Sequence, residues 1–326
     1  MKAIVQDRYG SPEVLELKEI DKPEIKDNEV LVRVHAASVN AADWHFMTGR
    51  PYIMRMLPSP FGLRKPKLRV RGRDLSGQVE AVGRNVTRFS AGDEVYGEAD
   101  DGCFAVYKSV PEDLLGLKPA NLTHEQAATA PLAGNTALQG LRDTADVQPG
   151  QKVLINGASG GVGTFAVQIA KAFGAEVTGV CSTRNVDLVR SIGADHVIDY
   201  TQEDFATSGQ RYDVIFDVAG KSSLSDCRRA LTAKGTLILC SGVGSRLFGP
   251  IGRVLRALVL SRFVSQNLRP LSTKQSKEDL GVLKELIEAG KVIPAIDRTF
   301  PLSEVPEALR YFETEHARAK IVITIQ

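Results

Sequence analysis

Residues 153–188 read VLINGASGGVGTFAVQIAKAFGAEVTGVCSTRNVDL: an apolar run, a glycine turn, a helix-like stretch and a second apolar run. In the turn, Ser159, Gly160, Gly161, Val162 and Gly163 have the spacing that receives a pyrophosphate. Gly160 lets the backbone approach the phosphates, Gly163 lets the helix lie close on the strand, and the free amides of the first helical turn face the negative charge. Ala158 stands where the first glycine of such turns often is. The class of ligand is a dinucleotide. About 20 residues beyond the first glycine, an Asp or Glu ordinarily closes the second strand and binds the adenosine ribose 2'-hydroxyl. This chain has Cys181, Ser182, Thr183 and Arg184 there. A carboxylate would repel a 2'-phosphate, whereas Ser182 and Thr183 offer hydroxyls and Arg184 a permanently charged planar fork. The expected cofactor is therefore NADPH. Tyr200, closing HVIDY, and Gly242, closing GTLILCSG, are further candidates for the same ligand.

These residues need a frame to hold them. With 326 residues, 43% hydrophobic and 25% charged, the chain has the composition of a soluble globular protein of two domains. A net charge of +2 is too small to argue for nucleic acid. Cys103, Cys181, Cys227 and Cys240 lie far apart, without the spacing of a disulfide framework or a zinc knuckle, and a reducing cytoplasm is the expected setting. The N-terminal residues lack the apolar run of a signal peptide, and no stretch reaches the ~18 apolar residues of a membrane span.

Two textures divide the chain. Residues 1–123 hold short alternating runs such as VLVRVHAASV and GQVEAVG, broken by Gly, Pro, Asp and Asn, the pattern of an irregular β domain. Over 124–271, KVLIN, EVTGVCS, HVIDY, YDVIFDVAG and GTLILCSG alternate with helical spacing, which predicts a buried parallel sheet with crossover helices. Val162, Ala166, Ile169, Ala170 and Phe173 should share one face of the first of these helices. A sixth strand is expected near Val264–Leu271. The run AKIVITI at the end is expected to return to the first domain.

The glycine loop, PLAGNTALQGL before it and AGKVIPAIDRTFPLSEVPEALRYFE near the end resemble the medium-chain dehydrogenase/reductase superfamily, in its zinc-independent quinone oxidoreductase branch. The resemblance spans nearly the whole chain. It implies an α/β fold, with a doubly wound Rossmann sheet inserted in a GroES-like irregular β-barrel catalytic domain formed by 1–123 and completed by 272–326. It also implies that Thr136 lines the nicotinamide pocket. Zinc-dependent relatives carry a cysteine in the stretch matching SVNAAD, a His-Glu pair in the stretch matching RGRD, and a lobe of four cysteines. This chain has Asn40 and Arg73-Asp74 there and no such lobe, so no metal is expected. In the branch an Asn and, five residues on, a tyrosine point toward substrate. Asn40 matches the first, and His45 stands in place of the second, as a candidate proton donor beside solvent itself. Arg73 is expected to form an ion pair, and Trp44 to pack in the core.

Without a Lewis acid, an acceptor that already spreads the arriving charge is favoured: a quinone or an α,β-unsaturated carbonyl. The expected protein is thus an NADPH-dependent reductase of such substrates. The alternatives are an aldehyde or carbonyl reductase, and an NADPH-binding sensor that binds nucleic acid or lipid. Residues 44–73 hold eight Lys or Arg and no acid, and residues 227–277 hold ten and no acid. A solvated surface beside an oligomer contact is the preferred reading of these stretches, ahead of a lipophilic lid or a peripheral membrane contact. Specific nucleic-acid binding is not expected. The resemblance further implies a homodimer through strand 264–268.

Overall fold

A computed structural model of the protein describes residues 1–56, 61–240, 249, 251–315 and 317–326; Gly242 lies outside them. In chain order the strands are β1 (Lys2–Gln6), β2 (Leu15–Glu19), β3 (Glu29–Val39), β4 (Asp74–Val82), β5 (Glu94–Glu98), β6 (Tyr107–Pro111), β7 (Leu115–Leu117), β8 (Lys152–Asn156), β9 (Glu176–Cys181), β10 (His196–Asp199), β11 (Tyr212–Asp217), β12 (Leu231–Leu239), β13 (Asn267–Pro270), β14 (Ile296–Pro301) and β15 (Lys320–Thr324). The helices are α1 (Ala41–Thr48), α2 (His124–Ala127), α3 (Pro131–Gln139), α4 (Gly161–Ala172), α5 (Val186–Ser191), α6 (Leu224–Ala230), α7 (Ile251–Leu260), α8 (Lys277–Glu288) and α9 (Val305–Thr314). No described helix is long and apolar enough to cross a membrane. The chain divides into a unit of Met1–Asn135, Gln275–Glu288 and Pro294–Gln326 and a unit of Thr136–Lys274 and Ala289–Ile293.

The first unit is built on β3, whose apolar residues are buried from Val30 to Val39. Its sheet runs β14-β15-β3-β4-β5-β7, with β6 also on β3. Register shifts between Leu31 and Val32 and between Val34 and Ala36 bend β3 against β4, as an irregular barrel requires. The C-terminal run returns as expected: β15 pairs antiparallel with β3, Ile321 opposite Val39 and Ile323 opposite Ala37. The division falls after Asn135, twelve residues beyond the expected 123. The secondary structure does change to helix at 124, but packing goes the other way. His124 Nδ1 lies 2.9 Å from Ser76 Oγ, and the Leu132 amide donates to Asp74 Oδ1 at 3.0 Å, so both helical pieces attach to β4.

The second unit is a six-stranded parallel sheet in the order β10-β9-β8-β11-β12-β13, the 3-2-1-4-5-6 order of a Rossmann fold. Val153, Leu154 and Ile155 of β8 are completely buried because helices cover both sheet faces, which explains a strand without polar alternation. Helix α4 is buried around almost its whole circumference from Gly163 to Ala170, rather than on the single face expected, while Val162 and Phe173 are half-buried. Gln168 is tolerated inside because its amide donates to Thr164 O and Ile293 O and accepts from the Ile293 amide. The sixth strand is shorter than 264–271. Ser265 Oγ donates to Ala233 O at 2.5 Å and Gln266 Nε2 to Arg228 O at 2.9 Å, and these bonds hold Val264–Gln266 in a bend, so β13 begins at Asn267.

Candidate active site

The glycine turn begins one residue earlier than its sequence suggested. Gly157, at the end of β8, has φ +93°, a conformation that favours glycine, and so makes the tight turn that Ala158 leaves open. A Cβ on Gly163 would lie 2.0 Å from Gly157 O, so glycine there is demanded by helix packing. A Cβ on Gly160 would meet only Gly157 O at 3.5 Å, ordinary contact. The fold therefore does not require glycine at 160, and its absence of a side chain leaves the protein backbone there open to the approach of a ligand. The amides of Gly161, Val162 and Gly163 precede the first intrahelical bond, which Thr164 donates to Gly160 O at 2.9 Å. They supply the positive end of α4.

The edge that would hold the adenosine ribose contains a residue the sequence did not single out. Asn185, on a short 3-10 turn over Thr183–Asn185, donates from Nδ2 to Ser159 Oγ at 3.0 Å and to Ser182 Oγ at 3.2 Å. It thus ties the glycine turn to the end of β9. Asn185 is 5% exposed and its Oδ1 is buried without a hydrogen-bond partner, an acceptor turned toward a donor that the protein does not supply. A ribose hydroxyl has that chemistry. Because both serine hydroxyls can donate or accept, a flipped Asn185 amide would present NH2 instead, which suits a phosphate.

The charge at this edge is more balanced than expected. Arg184 is exposed beside the turn, and Tyr200, just past the end of β10, is 61% exposed. The Thr183 hydroxyl, however, donates to Asp199 Oδ2 at 2.6 Å and lies 2.9 Å from Thr201 Oγ1. That hydrogen bond holds the Asp199 carboxyl below its usual range, so a carboxylate stands one strand away from Arg184. Of the two hydroxyls counted toward a 2'-phosphate, Ser182 remains and Thr183 is committed. Thr136 lies within α3, 8% exposed. Ser159, Gly160, Gly161, Val162, Gly163 and Ser182 come together around Asn185 and the start of α4.

In the first unit the residues at the metal-ligand positions converge on an ammonium group. Lys320, from β15, is 3% exposed and donates to Asn40 Oδ1 at 2.5 Å and Val39 O at 3.2 Å, with Asp74 Oδ2 at 3.4 Å. Asn40 Nδ2 donates to Asp74 Oδ2 at 3.0 Å and to Ser38 O at 3.3 Å. Asp74, fully buried, also accepts from Ser38 Oγ at 2.8 Å. Burial pushes the Lys320 ammonium below its ordinary pKa, opposed first by Asp74. Arg73 pairs with Glu98 at 2.8 Å. A zinc ion here would face one carboxylate, an amide and an ammonium, which is not a zinc donor set. No group of three or more His, Cys, Asp or Glu among the described residues could hold a metal.

This geometry changes what Asn40 and His45 can do. Asn40 is 5% exposed, and both hydrogens of its amide are committed, which leaves none for an acceptor oxygen. His45, on α1, is exposed at the surface. Its Nδ1 lies 2.9 Å from Arg50 O, which fixes the proton on Nδ1. The surrounding protein mass lowers its pKa, more than the Arg50 hydrogen bond raises it. Trp44 packs against the core of the same unit. Lys320 and Asn185 were missed. The signals available were a lone cation in the apolar run AKIVITI and an asparagine opening a helix after TR.

The family model described as "Alcohol dehydrogenase GroES-like domain" matches residues 26–120, and that described as "Zinc-binding dehydrogenase" matches residues 192–323. The NADPH-dependent alkenal/one oxidoreductase of Arabidopsis thaliana is 35% identical, over 99% of this chain and 79% of that protein. The 2-methylene-furan-3-one reductase of Solanum lycopersicum is 34% identical over the same shares, 99% and 79%. The solved structure of the quinone oxidoreductase from Coxiella burnetii is 32% identical, with a TM-score of 0.84, over 100% of this chain and 99% of that one. The zinc in the second family description finds no matching donors at Asn40, Asp74 and Lys320. With both domains matched and relatives of this identity along its length, the chain belongs to the medium-chain dehydrogenase/reductase superfamily, in its zinc-independent quinone oxidoreductase branch, and is an oxidoreductase.

Proposed function

We propose that this enzyme uses NADPH to reduce the carbon–carbon double bond of α,β-unsaturated carbonyl compounds, and quinones by the same chemistry. The observation that carries the reading is the ammonium of Lys320 at the metal-ligand position, held by Asn40 and Asp74. An enzyme so built has no Lewis acid with which to polarise a plain alcohol, whereas an enone or quinone spreads the arriving charge itself. The names of the Arabidopsis and Solanum relatives support the same acceptor class. NADPH, when bound, supplies a hydride from nicotinamide C4.

The chain's own residues bind and orient. The first-turn amides of α4 receive the pyrophosphate, and Asn185 Oδ1 accepts from a ribose hydroxyl. Arg184 and Ser182 hold the 2'-phosphate against the opposing field of Asp199, with Tyr200 at the same edge. Thr136 lies beside the nicotinamide. Asn40 acts as a positioning residue, joining Lys320 to Asp74. The proton that completes reduction comes from solvent, because the Nδ1 proton of His45 is engaged by Arg50 O. The test is NADPH consumption against a panel of enones, quinones, saturated aldehydes and alcohols, with and without a chelator. Turnover of enones and quinones, indifferent to chelator, is expected; turnover of saturated aldehydes alone, or loss of activity with chelator, would overturn the reading.

A further inference from the structure

Residues 44–73 hold eight Lys or Arg and no acid, and the structure divides them. Arg55 lies over the Tyr9 ring at 4.0 Å, Arg71 pairs with the buried Asp101 at 2.6 Å, and Arg73 pairs with Glu98 at 2.8 Å. Arg64, Lys65, Lys67 and Arg69 instead stand around a cavity of about 750 Å³ in the first unit, beside Gln6 and Asp7 at the end of β1. Among the described residues Asp7 is the one acid on its wall, and it is already neutralised. Its Oδ1 accepts from Arg69 Nε at 2.6 Å and its Oδ2 from Lys18 Nζ at 3.2 Å. Arg64 and Lys65, both exposed, therefore set a positive field over the cavity that no carboxylate of the wall offsets.

The loop that carries these cations is held at both ends. Tyr9 Oη donates to Gly62 O and accepts from the Gly62 amide, both at 2.9 Å, and the Gln6 amide donates to Arg69 O at 2.7 Å. A Cβ on Gly62 would lie 2.1 Å from Lys65 O, so the turn between them closes only on glycine. Gln6 adds a demand of a different kind. It is completely buried, its Nε2 donates to Arg8 O and Met47 O, both at 2.8 Å, and its Oε1 has no hydrogen-bond partner. The two carbonyls fix the amide, because exchanging its ends would set Oε1 against both of them. A buried acceptor left open on the wall of a cationic cavity calls for a donor that the protein does not supply.

We propose that this cavity binds a phosphorylated small molecule of nucleotide size, at a place separate from the glycine turn. Arg64 and Lys65 take the phosphates, Lys67 and Arg69 add to the field, and a hydroxyl or amino group of the ligand donates to Gln6 Oε1. An inorganic anion would satisfy the cations and leave Gln6 open, and a neutral sugar would do the reverse. A ligand that carries both features meets both demands. The volume lies within the roughly 300–1,000 Å³ usual for small-molecule sites. The site does not depend on which acceptor the enzyme reduces.

The test is calorimetric titration of the full-length protein, loaded with one NADPH per chain, with ADP and separately with pyrophosphate. Because NADPH occupies the glycine turn, the heat of ADP binding reports a second place. One ADP per chain is expected, bound about fivefold or more tightly than pyrophosphate, which carries the charge without a sugar or base to reach Gln6. The double variant Arg64→Ser, Lys65→Ser changes only exposed side chains, and it should lose about tenfold or more in ADP affinity while keeping its NADPH affinity. No ADP binding by the loaded natural chain would overturn the proposal. So would pyrophosphate bound as tightly as ADP, which would reduce the cavity to a charged patch. Unchanged ADP affinity in the double variant would overturn it as well, since ADP would then sit elsewhere.

Discussion

Replacing Lys320 by Met removes the buried ammonium and keeps most of the side-chain volume. In the native protein Nζ serves Asn40 Oδ1 at 2.5 Å, Val39 O at 3.2 Å and Asp74 Oδ2 at 3.4 Å. Asp74 keeps three donors after the change: Ser38 Oγ at 2.8 Å, Asn40 Nδ2 at 3.0 Å and the Leu132 amide at 3.0 Å. Breaking a buried ion pair costs about 3–5 kcal/mol when one charge is left uncompensated. The remaining donors place Lys320→Met near the lower end, about 3 kcal/mol. Asp74→Asn should cost a similar amount, because it leaves the ammonium without its counter-charge. Since each single change removes the same pairing, the double variant should cost at least about 1 kcal/mol less than the sum. Urea unfolding followed by circular dichroism measures all three, with transitions fitted separately because the chain has two units. A Lys320→Met protein within about 0.5 kcal/mol of the native one, or strict additivity in the double variant, would refute the reasoning.

Arg184→Ala should lower the preference for NADPH over NADH by about tenfold, as loss of a charged hydrogen bond does. Asn185→Asp should weaken NADPH more than NADH, and Asn185→Ala should weaken both alike; fluorescence titration reads all three, and equal affinity of the native chain for both dinucleotides would contradict the assignment. Burial raises the Asp43 carboxyl from 3.8 to about 7 and the Glu98 carboxyl from 4.5 to about 7. A carboxyl raised in the folded state binds its proton more tightly there than in the unfolded chain, so its contribution to stability is fully present below the unfolded value and is lost as the pH rises to about 7. The thermal midpoint should therefore be lower at about pH 8 than at about pH 5, and Asp43→Asn should flatten the difference; a midpoint that rises over this interval would contradict it.

What the sequence made legible follows the physics that is local in it. Four of the six parallel strands, β8, β9, β11 and β12, show as apolar runs because burial on both faces leaves little polar alternation, and the glycine turn shows because Gly160 and Gly163 stand at fixed offsets. The extent of β13 did not, since the side-chain bonds of Ser265 and Gln266 that stop it reach Ala233 and Arg228, over thirty residues back. Lys320 lies in a run that reads as an ordinary strand, and only its pairing beside β3 brings it to Asn40 and Asp74. Arg253, on α7, looks like a surface cation until Asp217, at the end of β11, is seen to hold it.

Delivery of the hydride to a defined carbon is the central claim, and isotopic labelling reads it directly. With NADPH deuterated at C4 and an α,β-unsaturated ketone as acceptor, the product should be the saturated ketone, with deuterium at the β carbon and ordinary hydrogen from solvent at the α carbon. With unlabelled NADPH in heavy water the pattern should reverse. Deuterium on the carbonyl carbon of an allylic alcohol, or no label in the product, would contradict the account.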